Sequence, residues 1–241
     1  MDCNEIDPLE YENRHLRSPR EYYTRYYWAP IFERTIEKYC RNGTILDLGC
    51  GFGSSTKIVR RFNEKTIGID IAYKWLSYAK KENPKMELIF ADCKNIPLKT
   101  ESVDVIVSRG LFEFVDREAT IQEISRILKD NGICIILVPN KYSACRFPQK
   151  IFSKIMGKYY GKNEPSKPEM LMLLREADLD IIEFRMDDGL IMLPNIIDEA
   201  IGLKTYRMIE RVAKWRGENP FSNIMLLVGR KVDKKRSKGS G

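Results

Sequence analysis

From Thr44 to Ser55 the chain reads Thr-Ile-Leu-Asp-Leu-Gly-Cys-Gly-Phe-Gly-Ser-Ser. A short apolar run, three glycines at alternate positions and a pair of serines spell a strand, a tight turn and the start of a helix. Glycine tolerates positive φ and lets a ligand approach the backbone, and the N–H groups of a following helix favour a negative group. The spacing is Gly49-x-Gly51-x-Gly53. A dinucleotide fingerprint beginning at Gly49 needs glycine at position 54, where Ser54 stands, and a P-loop needs a Gly-Lys-Ser/Thr that is absent.

Around this turn, short apolar runs alternate with amphipathic stretches. The runs fall at Thr44–Leu48, Thr66–Ile69, Met86–Phe90, Val103–Val107 and Ile133–Val138, with helical patterns near 54–62, 73–81, 117–128 and 168–177. Alternation at this spacing predicts an α/β fold, a mostly parallel sheet with helices on both faces. Two more strands are expected at Leu179–Arg185 and Ile224–Val232, flanking a helix near 195–215. Five stretches follow. Residues 1–40 form an N-terminal arm and helix, the latter over Tyr22–Cys40 and stopping at Asn42-Gly43. The core spans 41–140 and a lid insertion with its helix 141–178. Strands and a helix completing the sheet lie in 179–232, and a basic tail expected to be disordered in 233–241.

Composition narrows the chemistry. The longest unbroken apolar run, Ile133–Val138, is far too short to span a bilayer, so a soluble cytoplasmic protein is expected. The six cysteines include no C-x-x-C pair and His15 is the only histidine, so no metal site is expected and a histidine-based triad would have to run through His15. The cysteines read as reduced, mostly buried small hydrophobes. The net charge of +7 is local: residues 141–167 carry +6, the last eleven residues +4, and the remainder −3.

Three aspartates complete the turn. Asp47, just ahead of the glycines, would repel a pyrophosphate but suits a ligand bearing an ammonium group. Asp70 ends the second strand, placed to accept from two ribose hydroxyls, and Asp92 follows the third, where it can accept from an adenine amine. All three fall at carboxyl ends of parallel strands, beside the crevice where such sheets bind ligands. Ammonium, carboxylate, ribose and adenine together describe S-adenosylmethionine.

Ile45–Gly53, Ile67–Asp70, Ala91–Pro97 and Ser102–Val115 together resemble the Rossmann-like (class I) S-adenosylmethionine-dependent methyltransferases, most closely the branch of quinone-biosynthesis and other small-molecule enzymes. The resemblance implies a seven-stranded sheet with the last strand antiparallel. It implies Asp47, Gly49, Gly51 and Gly53 around the methionine moiety, Asp70 on the ribose, and Asp92 with Cys93 at the adenine. Ser108 and Arg109 would stand at the donor end of strand four, and Cys50 and Ile71 join the cofactor-binding set. Many relatives carry Leu-Glu-His-Val after strand four; here Phe114 takes the histidine position, which puts metal-assisted O-methylation in doubt. No catalytic residue is assigned. Glu113, His15 and the tyrosines of 22–27 are the candidate bases, and Arg109 suits an anionic acceptor, the cofactor carboxylate or a neighbouring aspartate.

In the insertion, Phe147, Ile151, Phe152, Ile155, Met156, Tyr159 and Tyr160 share one helical face, while Lys150, Lys154, Lys158 and Lys162 recur on another. Such a helix suits a lid over an acceptor pocket, an anionic membrane surface or, less well, nucleic acid. The expected activity is in-line methyl transfer to a small-molecule or lipid-like acceptor. The alternative is methylation of RNA or protein through the basic helix and tail.

Overall fold

The computed structural model of the chain describes residues 28–143, 163–186, 219–220 and 222–233. The arm with His15 and the tyrosines of 22–27, the lid helix 147–162, the helix near 195–215 and the tail from 234 lie outside the described residues.

In chain order the elements are α1 (Ala29–Tyr39), β1 (Ile45–Leu48), α2 (Ser54–Val59), β2 (Thr66–Asp70), α3 (Tyr73–Glu82), β3 (Glu87–Phe90), β4 (Val103–Arg109), α4 (Arg117–Ile127), β5 (Leu128–Pro139), α5 (Lys167–Glu176), β6 (Leu179–Arg185) and β7 (Ile224–Lys231). The strands form one seven-stranded sheet in the order β3-β2-β1-β4-β5-β7-β6. Every pairing is parallel except those of β7, which runs antiparallel to β5 and β6.

The continuous apolar runs follow from burial on both faces, because a pleated strand sends successive side chains to opposite sides. Val105 and Val107 of β4, Ile133, Ile135 and Leu137 of β5, and Leu226 and Val228 of β7 pack with Trp28, Phe32 and Ile36 at α1 and Val59 of α2. Their neighbours Ile106, Cys134, Ile136, Met225 and Leu227 pack on the other face with Ile121 and Ile124 of α4 and Met170 and Leu174 of α5. Helices thus cover both faces, as expected.

Two boundaries differ from the expectation by three residues or more. Helix α2 ends at Val59 rather than near 62, closing in turns whose N–H groups return to Ile58 and Val59. Strand β5 begins at Leu128, directly from α4, instead of Ile133. Its register against β4 jumps from Val103↔Leu128 to Val105↔Ile133, with Asn131 at φ 62° in the jog. Between β1 and β4 the strand order reverses, so their carboxyl ends open the crevice where doubly wound sheets hold ligands.

Candidate functional site at the carboxyl ends of the strands

Gly49, Gly51 and Gly53 adopt φ of 75°, 54° and 85°, the left-handed region where a β-carbon is strained. The N–H groups of Gly49 and Cys50 both donate to the Ile69 carbonyl at 2.8 and 3.0 Å, and that of Gly53 donates to the Cys50 carbonyl at 2.9 Å. The turn is thereby stitched to the end of β2. A β-carbon on Gly51 would stand 2.9 Å from the Trp75 ring, which also packs against Phe52. Cys50 turns its side chain inward, so that a β-carbon on Gly68 would lie 2.8 Å from its sulfur. The Cys50 thiol is therefore taken up by packing against β2.

Asp47 is fully buried beneath the turn, on the α1–α2 side of the sheet. Its Oδ2 accepts from Thr56 Oγ1 of α2 at 2.6 Å, while its Oδ1 has no hydrogen-bond partner among the described residues. Burial raises its pKa to about 6, opposed by the Thr56 hydroxyl and the charge of Arg109. An electrostatic reach of Arg109 to a neighbouring aspartate is one of the readings left open for that residue.

Asp70 is gripped from two sides. Gly51 N–H donates to Oδ2 and Ala72 N–H to Oδ1, both at 2.8 Å. Burial raises its pKa, and those backbone donors counter the rise. Each oxygen keeps a lone pair for a further donor, as vicinal hydroxyls would supply. Beside it Ile71 is 54% exposed, an apolar side chain left uncovered next to a carboxylate. Tyr73 and Phe90 stand exposed nearby as an edge-to-face pair, 6.0 Å between centroids.

The Ala91 N–H donates to the Asp70 carbonyl, carrying the chain from one carboxylate to the next. Asp92 accepts from Lys94 N–H at 2.9 Å and remains half-exposed. The Cys93 thiol is committed to a hydrogen bond with Thr120 of α4 at 3.4 Å.

At the end of β4, Ser108 is fully buried and its Oγ has no hydrogen-bond partner among the described residues. Gly110 follows at φ 68°, with no atom of the described residues within 4 Å of where a β-carbon would stand. Leu111 walls Gly49, Phe112 and Glu113 are buried, and Phe114 is 58% exposed. Glu113 is the one candidate base that lies within the described residues.

Thr56, Trp75 and Gly110 were not singled out from the sequence. A threonine nine residues from its aspartate has no motif to announce it. Gly110 carried the better signal, as a glycine directly after an apolar strand. The donor set fits S-adenosylmethionine chemically. Asp47 Oδ1 is a buried acceptor awaiting a donor, Asp70 suits hydroxyls, Ile71 offers apolar cover, and Asp92 suits an exocyclic amine.

Comparisons with known proteins agree with this fold. A family described as a methyltransferase domain matches residues 46–136. The ubiquinone/menaquinone biosynthesis C-methyltransferase UbiE of Campylobacter jejuni strain 81-176 is 29% identical over 182 residues, covering 64% of this chain and 77% of that protein. An uncharacterized protein of Methanocaldococcus jannaschii, MJ1252, is 30% identical over 135 residues, 55% of this chain and 52% of that protein. Geranyl diphosphate C-methyltransferase from Streptomyces coelicolor, solved with Mg2+, geranyl diphosphate and S-adenosyl-L-homocysteine, superposes with a TM-score of 0.59 at 18% identity, covering 85% of this chain and 79% of that one. A possible histamine N-methyltransferase from Thermotoga maritima gives a TM-score of 0.55 at 24% identity over 87% of this chain and 94% of that one.

Proposed function

We propose that this chain is an S-adenosylmethionine-dependent methyltransferase that transfers the methyl group in line to a small, largely apolar acceptor held beyond the end of β4. Bound S-adenosylmethionine supplies a methyl group already activated as a sulfonium, so the protein's share is orientation and exclusion of water. In this reading Asp47 receives the ammonium of the methionine moiety beneath the glycine turn. Asp70 accepts from the ribose hydroxyls with Ile71 covering that side, and Asp92 with the Cys93 backbone meets the adenine. Ser108 and Arg109 border the donor end, and the Thr56 hydroxyl together with the Arg109 charge favours the ionised form of Asp47 against its burial.

The observation that carries the acceptor class is the segment after β4. Gly110 leaves open space, and Phe114 presents an exposed ring where many relatives place a histidine. An apolar surface beside the donor end favours a greasy acceptor over a strongly hydrated one. The names of the Campylobacter and Streptomyces proteins, a quinone-pathway and a prenyl-diphosphate C-methyltransferase, support the same class.

The test is a label partition. Purified protein is incubated with methyl-labelled S-adenosylmethionine and cell extract, and label is counted in organic, polar small-molecule, RNA and protein fractions, with Asp70→Ala as the blank. Label above blank is expected in the organic fraction. Label in RNA or protein instead would overturn the proposal in favour of a polymeric acceptor.

A further inference from the structure

The loop that carries Asp92 is held by one face of α4. Glu123 and Arg126 lie three residues apart on that helix and form a fork, with Arg126 Nε donating to Glu123 Oε1 at 2.7 Å and Nη2 to Oε2 at 2.8 Å. The fork does not stop at itself. Glu123 Oε2 also accepts from the Ile96 N–H at 2.9 Å. Arg126 Nη2 donates to the Ile96 carbonyl and Nη1 to the Leu98 carbonyl, each at 2.9 Å. Thr120, one turn earlier, holds the Cys93 thiol. Both backbone groups of Ile96 and the carbonyl of Leu98 are thus fixed by two side chains some thirty residues away.

Between Asp92 and these anchors the chain has little freedom. Asn95 N–H donates to the Asp92 carbonyl at 3.0 Å, closing a turn that ends at the pinned Ile96. At its other end, Ala91 is tied to the Asp70 carbonyl at 3.1 Å. The Asp92 carboxylate sits on a short span fixed at both sides, one end to the ribose carboxylate's strand and the other to α4. A guanidinium that makes two hydrogen bonds with its paired carboxylate and three more with the oxygens of Ile96, Leu98 and Thr100 supplies geometry as well as charge.

We propose that Glu123 and Arg126 are positioning residues for the adenine subsite, setting where the Asp92 carboxylate stands and therefore how strictly the site demands an adenine amine. The inference rests on the reading of Asp92 as the acceptor for that amine. Neither side chain touches the ligand; each acts through the Ile96–Leu98 backbone. The helix that carries them thereby sets selectivity for the base from outside the site.

The experiment compares two ligands that differ only at the base edge, S-adenosylhomocysteine and S-inosylhomocysteine, by isothermal titration calorimetry on the wild type, Asp92→Asn, Arg126→Lys and Glu123→Gln. The inosine ligand replaces the amine donor with a carbonyl. The wild type is expected to prefer the adenosine ligand by at least about tenfold, the scale of one hydrogen bond to a charged acceptor. Asp92→Asn should abolish or invert that preference. Arg126→Lys and Glu123→Gln should lower it several-fold, mainly by weakening the adenosine ligand. A merely structural role would weaken both ligands equally and leave the ratio intact, which would overturn the proposal. If Asp92→Asn itself keeps the preference, the reading of Asp92 fails and the proposal fails with it. Preference lost in Asp92→Asn but kept in both fork variants removes the fork alone. Thermal melts of each variant identify any that is unfolded, and two conservative changes at different residues keep the test decisive.

Discussion

At Asp47 the fold buries a carboxylate whose hydrogen bonding it only half completes. One oxygen takes the Thr56 hydroxyl, and the other has no partner among the described residues. Its pKa rises from 3.8 to about 6 because the charged form has lost its water. The folded state therefore binds a proton more tightly than the unfolded chain between those values. Stability from this group declines as pH rises through that window and stays reduced above it. Asp47→Asn keeps an oxygen for Thr56 and removes the buried charge. It is expected to stabilise the unliganded protein near neutral pH by up to about 3 kcal/mol, an advantage that fades as pH falls to the ordinary aspartate range. Urea denaturation across pH measures this. In the same reading S-adenosylhomocysteine should bind the wild type more weakly as pH drops through about 6, and the variant weakly at every pH. A gain in stability paired with loss of binding is the signature of a group retained for its ligand. The motif announced Asp47, whereas its buried state and Thr56 partner became visible only when α2 closed over β1.

Helices α4 and α5 work as brackets for the loops of the candidate site. Helix α4 begins at Asp116, whose side chain accepts from the Ala119 N–H, and α5 begins with a capping box of Ser166 and Glu169. Arg117 joins the two. Its Nε donates to Glu169 Oε1 at 2.6 Å, and Nη1 donates to the carbonyls of Phe112 and Asn163. The segment with Glu113 and Phe114 is thus anchored by the same helix whose other turns hold the Asp92 loop. Arg117→Ala removes a mostly buried ion pair and two backbone contacts. It should cost about 1–3 kcal/mol in denaturant unfolding, and should slow methyl transfer by more than it weakens S-adenosylhomocysteine binding. Equal losses in both measurements would place Arg117 outside the acceptor side. These elements were legible in the sequence as a helical period and an apolar run. Their ends were less so. The start of β5 at Leu128 depends on pairing with Val103 of β4, a partner twenty-five residues back that no local pattern announces.

For the whole molecule, the sheet is both core and ligand frame. Its central strands are buried on two faces, and the proposed ligand residues lie at one end of that layer. Binding there should report on global unfolding. S-adenosylhomocysteine at about a hundred times its dissociation constant should raise wild-type stability by about 2.7 kcal/mol. In Asp70→Ala, which also loses the anchors of Gly51 and Ala72, the baseline should drop and the ligand-induced rise should vanish. A full rise in that variant, followed by differential scanning fluorimetry, would remove Asp70 from the site. Four of the six cysteines are described, and all four are buried. Burial pushes the thiols of Cys40 and Cys134 up to about 12, so they behave as core atoms, as composition suggested.

The order of strands and helices, the glycine turn and the three aspartates were determined by the chain alone. Each depends on local chemistry: unbroken apolar runs for strands buried on both faces, glycine for positive φ, and a carboxylate at each strand end. Only the tertiary structure decided which of those groups a ligand can reach. It turned Cys50 and Cys93 inward, left Ile71 and Phe114 exposed, and bound Glu123 and Arg126 to a loop some thirty residues away. Side-chain exposure and long-range hydrogen bonds arise from how layers pack, and packing couples residues that no spacing in the sequence connects.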